Sequence, residues 1–585
     1  MGIALPAQNG DFCHFPLLFK LFANIDPQLL FVPNHAGADR FTFLEFAYHF
    51  FRRPKGNGAK FSRSAVGDWP CWKELADRIK FSDRPIAHSL LRLESHEADR
   101  VAQQSFLVIM RFMGDETLKR HQSFTDCVYE LLSLCHVYVP IRDEIYCQIL
   151  KQVTENRSEK CGESTLRGWR LLSILCAYYE CSETFKPFLV KFIGEFAFNA
   201  RRTFSGIAKI SLYNLAQTFR FGGRRLILSA AEVEAIANGK NVRRQLYHLP
   251  GGHRRLINTR PVTVAEEIVR ALCLEMNIRS VAEQQEFSLY NSVHTLLNDE
   301  YVLDVCTELE TRGDDYLLIL TRSVWLHPVR RESDLCTDAL FFQLLPNYLA
   351  GLPVSLRQDG SATAAALDDM TTLGALLVLS GHRSNPKMCD LLDLIPKNVL
   401  NNSNISHERW LQRVYARVKK LNGLDSVCST TLKARQHFLE IIERWPLFGA
   451  AFYFVRRVYS GKNLANSVSD AAVLAENCVL AVNKFGLRVL SSGTHHILAE
   501  FALDEIHEMT KYSVSDTNFF EIRFAPWGKT ENQHNAVTVE TDLVPPHFDN
   551  LNEYIFSSFV KGNEISRLIG HYIFLNNGAA KLCER

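Results

Sequence analysis

Asp143, Glu144 and Gln148 lie within two turns of one helical stretch and Arg167 follows downstream, so two carboxylates, an amide and a guanidinium could meet. A carboxylate within reach of Arg167 makes a charge-assisted structural pair, and no nucleophile or metal set accompanies these residues. They read as structural. Phosphate binding needs a glycine-rich turn ending in Lys and Ser/Thr, but Gly461-Lys462-Asn463 lacks both the upstream Gly and the hydroxyl. The G-x-S-x-G elbow and the protein-kinase set are missing too. Zinc ligation calls for paired Cys or His about two to four residues apart. Cys176 and Cys181 have no second pair, and the adjacent His495 and His496 point to opposite faces of a strand. The sequence predicts no catalytic, metal or cofactor site, and its informative features concern binding.

Residues 196–260 hold twelve Lys/Arg against two Glu, a local charge of about +10 in a chain of net charge +2. Arg201, Arg202, Arg224, Arg225, Lys240, Arg243, Arg244, Arg254 and Arg255 make up this candidate patch for an acidic partner. On one side of a domain they would create a salt-sensitive attractive potential. Spread over solvated helix faces and paired with acidic neighbours they would be structural, and some could clamp two domains together. Residues 460–585 show the reverse balance, ten basic against fifteen acidic. That argues against a phosphoinositide site there, which needs a basic surface, although Arg254, Arg255 and Arg260 could contribute to one. Over the whole chain 66 basic and 64 acidic residues leave no global field that marks a nucleic-acid binder.

The elements that must position these residues follow from patterning. A chain of 585 residues, 47% apolar and 11% aromatic, folds, and at about 100–200 residues per domain it holds several domains. Fifteen scattered Cys inside apolar stretches read as buried thiols of a reducing cytosol. There is no secretory signal, and no stretch approaches the roughly 20 apolar residues that cross a bilayer. Residues 1–79 read as an extension and linker, with an aromatic helix at 41–51. From 80 to 239 helix follows helix, as in 98–113, 141–153 and 169–177. A hairpin is then expected at 245–249 and 253–258, a helix opened by Thr263 and Glu266 as a capping box, and strands at 286–290 and 316–321. That order suits a ubiquitin-like roll. Helices return at 338–349, 364–380, 407–421 and 431–444, and 459–466 reads as a polar connection. The last lobe predicts strands at 478–482, 487–490, 497–503, 509–514, 519–524, 536–540 and 553–559. A closing helix carries the stripe Ile565, Leu568, Ile569, Tyr572, Ile573.

Specific motifs sit on this plan. Ile141-Arg142-Asp143-Glu144-Ile145-Tyr146 through Thr154, Phe112-Met113-Gly114-Asp115, Arg167-Gly168-Trp169 and Glu232-Val233-Glu234-Ala235-Ile236 resemble the MyTH4 signature. Phe342-Gln343-Leu344-Leu345-Pro346 and Trp445-Pro446-Leu447-Phe448-Gly449 resemble the bounds of a FERM helical lobe. The chain is thus similar to the MyTH4-FERM tandem of unconventional myosin tails, and Gln245–252 and Tyr301-Val302-Leu303-Asp304-Val305 are most similar to class XV. The resemblance implies a multidomain α plus α+β protein: an all-helical MyTH4 domain at 80–239, then a three-lobed FERM domain at 244–576. Its lobes are a ubiquitin-like roll (244–332), a helical bundle (333–456) and a PH/PTB-like sandwich with a C-terminal helix (460–576). It implies a non-catalytic cargo- and cytoskeleton-binding tail module in the cytoplasm and cytoskeleton, including actin-rich protrusions such as filopodia or stereocilia. Actin would be reached through an upstream motor, and tubulin's acidic tails are the partner implied for the basic MyTH4 junction. Adaptor or receptor tails would bind a groove built from Met509, Lys511, Tyr512 and Val514 of a free strand edge and Ile569 of the closing helix. Alternatives are a phosphoinositide-dependent membrane adaptor and a tail that inhibits its own motor. The sequence departs from the family in lacking the usual prolines near Glu180-Cys181-Ser182 and Leu226-Ile227-Leu228-Ser229. It also ends Lys581-Leu582-Cys583-Glu584-Arg585, without the apolar terminus that a PDZ groove takes in.

Overall fold

The computed structural model describes residues 40–53, 72–291, 294–382, 388–423, 430–460, 472–514, 517–524, 536–540 and 562–583. Backbone contacts divide the chain into two compact units. One comprises Met1–Arg244, Asn258–Thr263 and Tyr301–Asp314; the other comprises Gln245–Ile257, Val264–Glu300 and Asp315–Arg585.

The first unit is helical: α1 Phe43–Phe50, α2 Trp72–Arg78, α3 His96–Met113, α4 Phe124–Val137, α5 Arg142–Val153, α6 Cys161–Tyr178, α7 Lys186–Ala197, α8 Ser205–Phe221 and α9 Ala230–Ala237. Ser95 caps α3, whose end is turned by Gly114 at φ +85°, and Ser123 with Asp126 closes a full capping box on α4. Ten consecutive residues of α5, Glu144 to Val153, are buried, the mark of a helix enclosed on all sides. The aromatic helix α1 is part of this body rather than a linker. Phe46 packs on Phe185 and Phe188, and Phe43 on Phe192, with ring centroids 4.5–5.9 Å apart, because so many buried rings cannot be left in water.

The second unit begins with a four-stranded sheet in the order β2-β1-β4-β3, from β1 Arg243–Leu249, β2 His253–Thr259, β3 Phe287–Tyr290 and β4 Ile319–Arg322, with helix α10 Ala265–Glu275. β1 runs parallel to β4 with His248 opposite Ile319. The hairpin turn needs glycine at Gly251: its φ is +86°, and a Cβ there would meet Phe342 at 2.5 Å. The expected capping box of α10 does not form. Val264 is the N-cap, and Thr263 Oγ1 instead accepts from the Arg260 amide at 2.9 Å. A short α11 Val281–Gln284 precedes β3. A further helix, α12 Val302–Arg312, follows β3 in sequence and groups with the first unit.

Helices α13 Asp334–Leu349, α14 Ala364–Leu379, α15 Lys397–Asn402, α16 His407–Gly423 and α17 Thr431–Ile442 form the next lobe. Phe341 and Tyr348 meet Phe438 in its core. The last lobe is a seven-stranded sheet, β5 Ala451–Ser460, β6 Ala472–Asn483, β7 Gly486–Ser491, β8 Ile497–Phe501, β9 Ile506–Val514, β10 Thr517–Phe524 and β11 Ala536–Glu540, in the order β8-β7-β6-β5-β11-β10-β9. Helix α18 Gly562–Cys583 packs Ile565, Ile569 and Tyr572 into the sheet's core. The first strand of this sheet occupies residues read from sequence as the end of the helical lobe and a polar connection. It pairs with both β6 and β11. The strand expected at 553–559 lies outside the described residues.

Candidate binding surfaces

The MyTH4-type motif is a structural lock. Glu144 accepts from the amides of Leu90 and Leu91 at 2.8 and 2.7 Å and from Gln148 Nε2 at 2.8 Å. Gln148 also donates to the Ala102 carbonyl and accepts from Ser105 Oγ, each at 2.8 Å, so α5 binds the 90–91 loop through Glu144 and α3 through Gln148. Burial pushes the Glu144 carboxyl up to about 7, against the pull of the Leu91 and Leu90 amides and Gln148. Asp143 accepts from the Ser182 amide at 2.9 Å and from its hydroxyl at 2.5 Å. This contact fixes one of the turns that lack the family's proline. In the other, Ser229 caps α9, while the hydroxyls of Tyr178 and Tyr129 donate to the Leu226 and Leu228 carbonyls. Arg167 does not meet Asp143 or Glu144. It pairs with Glu163 one turn back on α6 and stacks over Phe124 at 4.4 Å, because the α5 carboxylates are taken up by loop amides and hydroxyls. Trp169 is fully buried against Phe192 and Phe196.

The predicted basic patch separates. Arg254 and Arg255 belong to the second unit, the other seven residues to the first. Arg224 leaves the surface altogether: its side chain has 0% exposure, with Nε 2.8 Å from Asp304 and Nη1 2.5 Å from Glu232. Burial favours its neutral form, yet Tyr178, Glu232 and Asp304 overcome this and hold the proton more tightly than usual. Arg224 is therefore a buried clamp. Arg243 is exposed but paired with Glu310, and Arg255 is paired with Glu275. Arg254 instead lines an open hollow of about 1890 Å³ in the second unit, together with His248, Tyr290 and Arg567. Of the predicted patch residues in the first unit, Arg201, Arg202, Arg225, Lys240, Arg243 and Arg244 are exposed. Arg202 rests over the Phe196 ring at 4.3 Å.

In the last lobe β9 is one end of the sheet, paired through Thr510, Lys511 and Tyr512 to Glu521, Phe520 and Phe519 of β10. Cross-strand partners share a face, so Met509 and Lys511, opposite the buried Ile522 and Phe520, lie on the side that α18 covers. Met509 packs partly against the core and Lys511 is exposed. Burial, and then the charge of Arg567 on α18, lower the Lys511 pKa. Arg567 is exposed on this same helix. Ile569 is not a contact residue, since it is fully buried in the core. The side chains of Tyr512 and Val514 lie outside the described residues, and their backbones pair with Phe519 and Thr517.

Comparison with known proteins agrees with this architecture. A model of the MyTH4 domain matches residues 128–235. Human unconventional myosin-XV is 33% identical over 477 residues, covering 80% of this chain and 13% of that protein. Human unconventional myosin-XVB is 33% identical over 478 residues, 80% of this chain and 14% of that one. A solved structure of the human myosin 7b C-terminal MyTH4-FERM domain in complex with the harmonin-a PDZ3 domain aligns with a TM-score of 0.57 at 20% identity, covering 93% of this chain and 98% of that one. The chain carries a MyTH4 domain, has the fold of a MyTH4-FERM tandem, and is similar in sequence to the tails of unconventional myosins. The chain spans about one seventh or less of the length of these two class XV relatives.

Proposed function

We propose that this chain is a non-catalytic tail module that links adaptor or receptor tails to an actin-based motor and, through its helical unit, to microtubules. The observation that carries the reading is the β9 edge. An extended peptide can add there by main-chain hydrogen bonds, with Met509 and Lys511 on one side and Arg567 on the other. The myosin 7b relative supports protein binding as the general role, since its MyTH4-FERM domain is solved with a PDZ partner.

The exposed Arg201, Arg202, Arg225, Lys240 and Arg244 supply the acidic-partner surface, with tubulin tails as the expected ligand. Replacing these five by Glu is expected to abolish co-sedimentation with microtubules, and unchanged sedimentation would remove the microtubule role. For the groove, Lys511→Glu should weaken capture of acidic adaptor tails in a pulldown. Equal capture by wild type and variant would rule out this edge as the cargo site.

A further inference from the structure

The outer face of α16 belongs to neither surface described above. This helix carries Arg409, Arg413, Arg417, Lys419 and Lys420 against a single carboxylate, Glu408. Its inner side is taken up by packing: Trp410 and Val414 are fully buried, and Trp410 Nε1 donates to Ser403 Oγ at 3.1 Å. At about 100° of turn per residue, Arg409, Arg413 and Lys420 fall on one stripe along the flank of the buried Trp410 and Val414, and Lys419 lies on the side of the helix opposite that buried pair. All four are exposed. Arg417, on the flank, is neutralised by Asp368 and donates to Thr372 Oγ1 at 2.5 Å. Among the described residues no carboxylate stands within ion-pair distance of the other four. Like charges one turn apart repel, and an external negative charge relieves that repulsion.

We propose that this stripe docks the helical lobe onto an anionic lipid bilayer. The helix has 17 residues and is about 25 Å long, so its cations form a straight, shallow row rather than a cleft. Among the described residues no carboxylate pairs with the row and no apolar pocket lies along it to fix the register of a protein partner. A flat sheet of mobile headgroups meets such a row without requiring one, and each Lys or Arg near it strengthens partitioning about fivefold. With the apolar side of the helix already buried in the lobe, the contact is superficial and electrostatic. It is separate from the hollow that holds Arg254 and from the acidic last lobe.

The test is co-sedimentation of the whole chain with vesicles of phosphatidylcholine alone and of phosphatidylcholine with phosphatidylserine, at low and physiological salt. Binding is expected only to the anionic vesicles and should weaken with salt. Combined Arg409→Gln, Arg413→Gln and Lys420→Gln should reduce it about a hundredfold, with thermal unfolding unchanged. The corresponding Glu variant should reduce it further, and Arg254→Glu should leave it intact. Equal binding to neutral vesicles, unaltered partitioning of the Gln variant, or loss caused by Arg254→Glu alone would overturn the proposal. Failure to bind vesicles together with retention on soluble polyglutamate would replace the bilayer by an acidic protein. Microtubule and peptide binding by the Gln variant should stay at wild-type level, so this result stands apart from the tail-module reading.

Discussion

Charged groups closed off from water hold the helical unit together, and each makes a definite prediction. Arg224→Met would leave Glu232 and Asp304 without their shared counter-ion. Removing one partner of a buried ion pair costs about 3–5 kcal/mol, readable as a lower melting temperature, whereas Arg225→Met should be nearly neutral. Glu144→Gln sets an amide NH2 against a ring of donors, the Leu90 and Leu91 amides and Gln148, and should cost about 1–3 kcal/mol. Asp99 accepts from Ser89 and Arg52 and pairs with His88. Burial raises its pKa, but these contacts outweigh it and hold the carboxyl at about 2. The folded chain therefore binds fewer protons than the unfolded chain between about pH 4 and 2. The stabilisation is present above about pH 4 and is lost as pH falls through 2. Its size is on the order of 1 kcal/mol after solvent screening, so Asp99→Asn should flatten acid unfolding followed by circular dichroism in that window. Nothing in the sequence separates Arg224 from its neighbour Arg225, because the partner that buries it, Asp304, lies 80 positions away.

Among the elements, legibility follows how far local pattern decides the structure. Ser123→Ala should cost about 1 kcal/mol, because the cap and the Asp126 return bond both act locally; thermal unfolding checks it. Thr263 followed by Glu266 carries the same signature, yet the Arg260 amide takes the hydroxyl, so the motif was readable and its outcome was not. Strand β5 shows another limit. Its register shifts between Val458 and Tyr459, which breaks the two-residue alternation, and Val458 and Tyr459 are both buried. The adjoining Arg456 and Arg457 then make a central strand resemble a linker. Helix α12 was not expected from the sequence, although it shows a plain stripe at Val302, Val305, Cys306 and Leu309. Long, periodic helices such as α3 and the α18 stripe were fully legible. Of the proposed groove, the end position of the strand that carries Lys511 was readable from strand order, while the burial of Ile569 depends on packing that only the assembled lobe supplies.

At the scale of the whole molecule, the division between units does not follow a single cut in the chain. Asn258–Thr263 and Tyr301–Asp314 group with the helical unit. The Tyr301 hydroxyl donates to the Gly222 carbonyl at 2.6 Å, the Val302 amide donates to Thr263, and Asp304 holds Arg224. A fragment comprising residues 40–240 lacks all three contacts. It is expected to melt below a fragment comprising residues 40–314, and calorimetry of the two fragments checks this. Equal melting would mean that the returning segment contributes nothing to the unit it joins.

That returning segment also sets a clock on biosynthesis. A ribosome adds about 5–20 residues per second, so the stretch from Arg244 to Asp314 takes roughly 4–15 s to emerge. For that interval the nascent helical unit has every helix up to α9 but not the strap that seals it, and Arg224 has Glu232 but still lacks Asp304, its second counter-ion. Chaperone occupancy on the nascent chain should peak in this window and fall once Asp304 has cleared the exit tunnel.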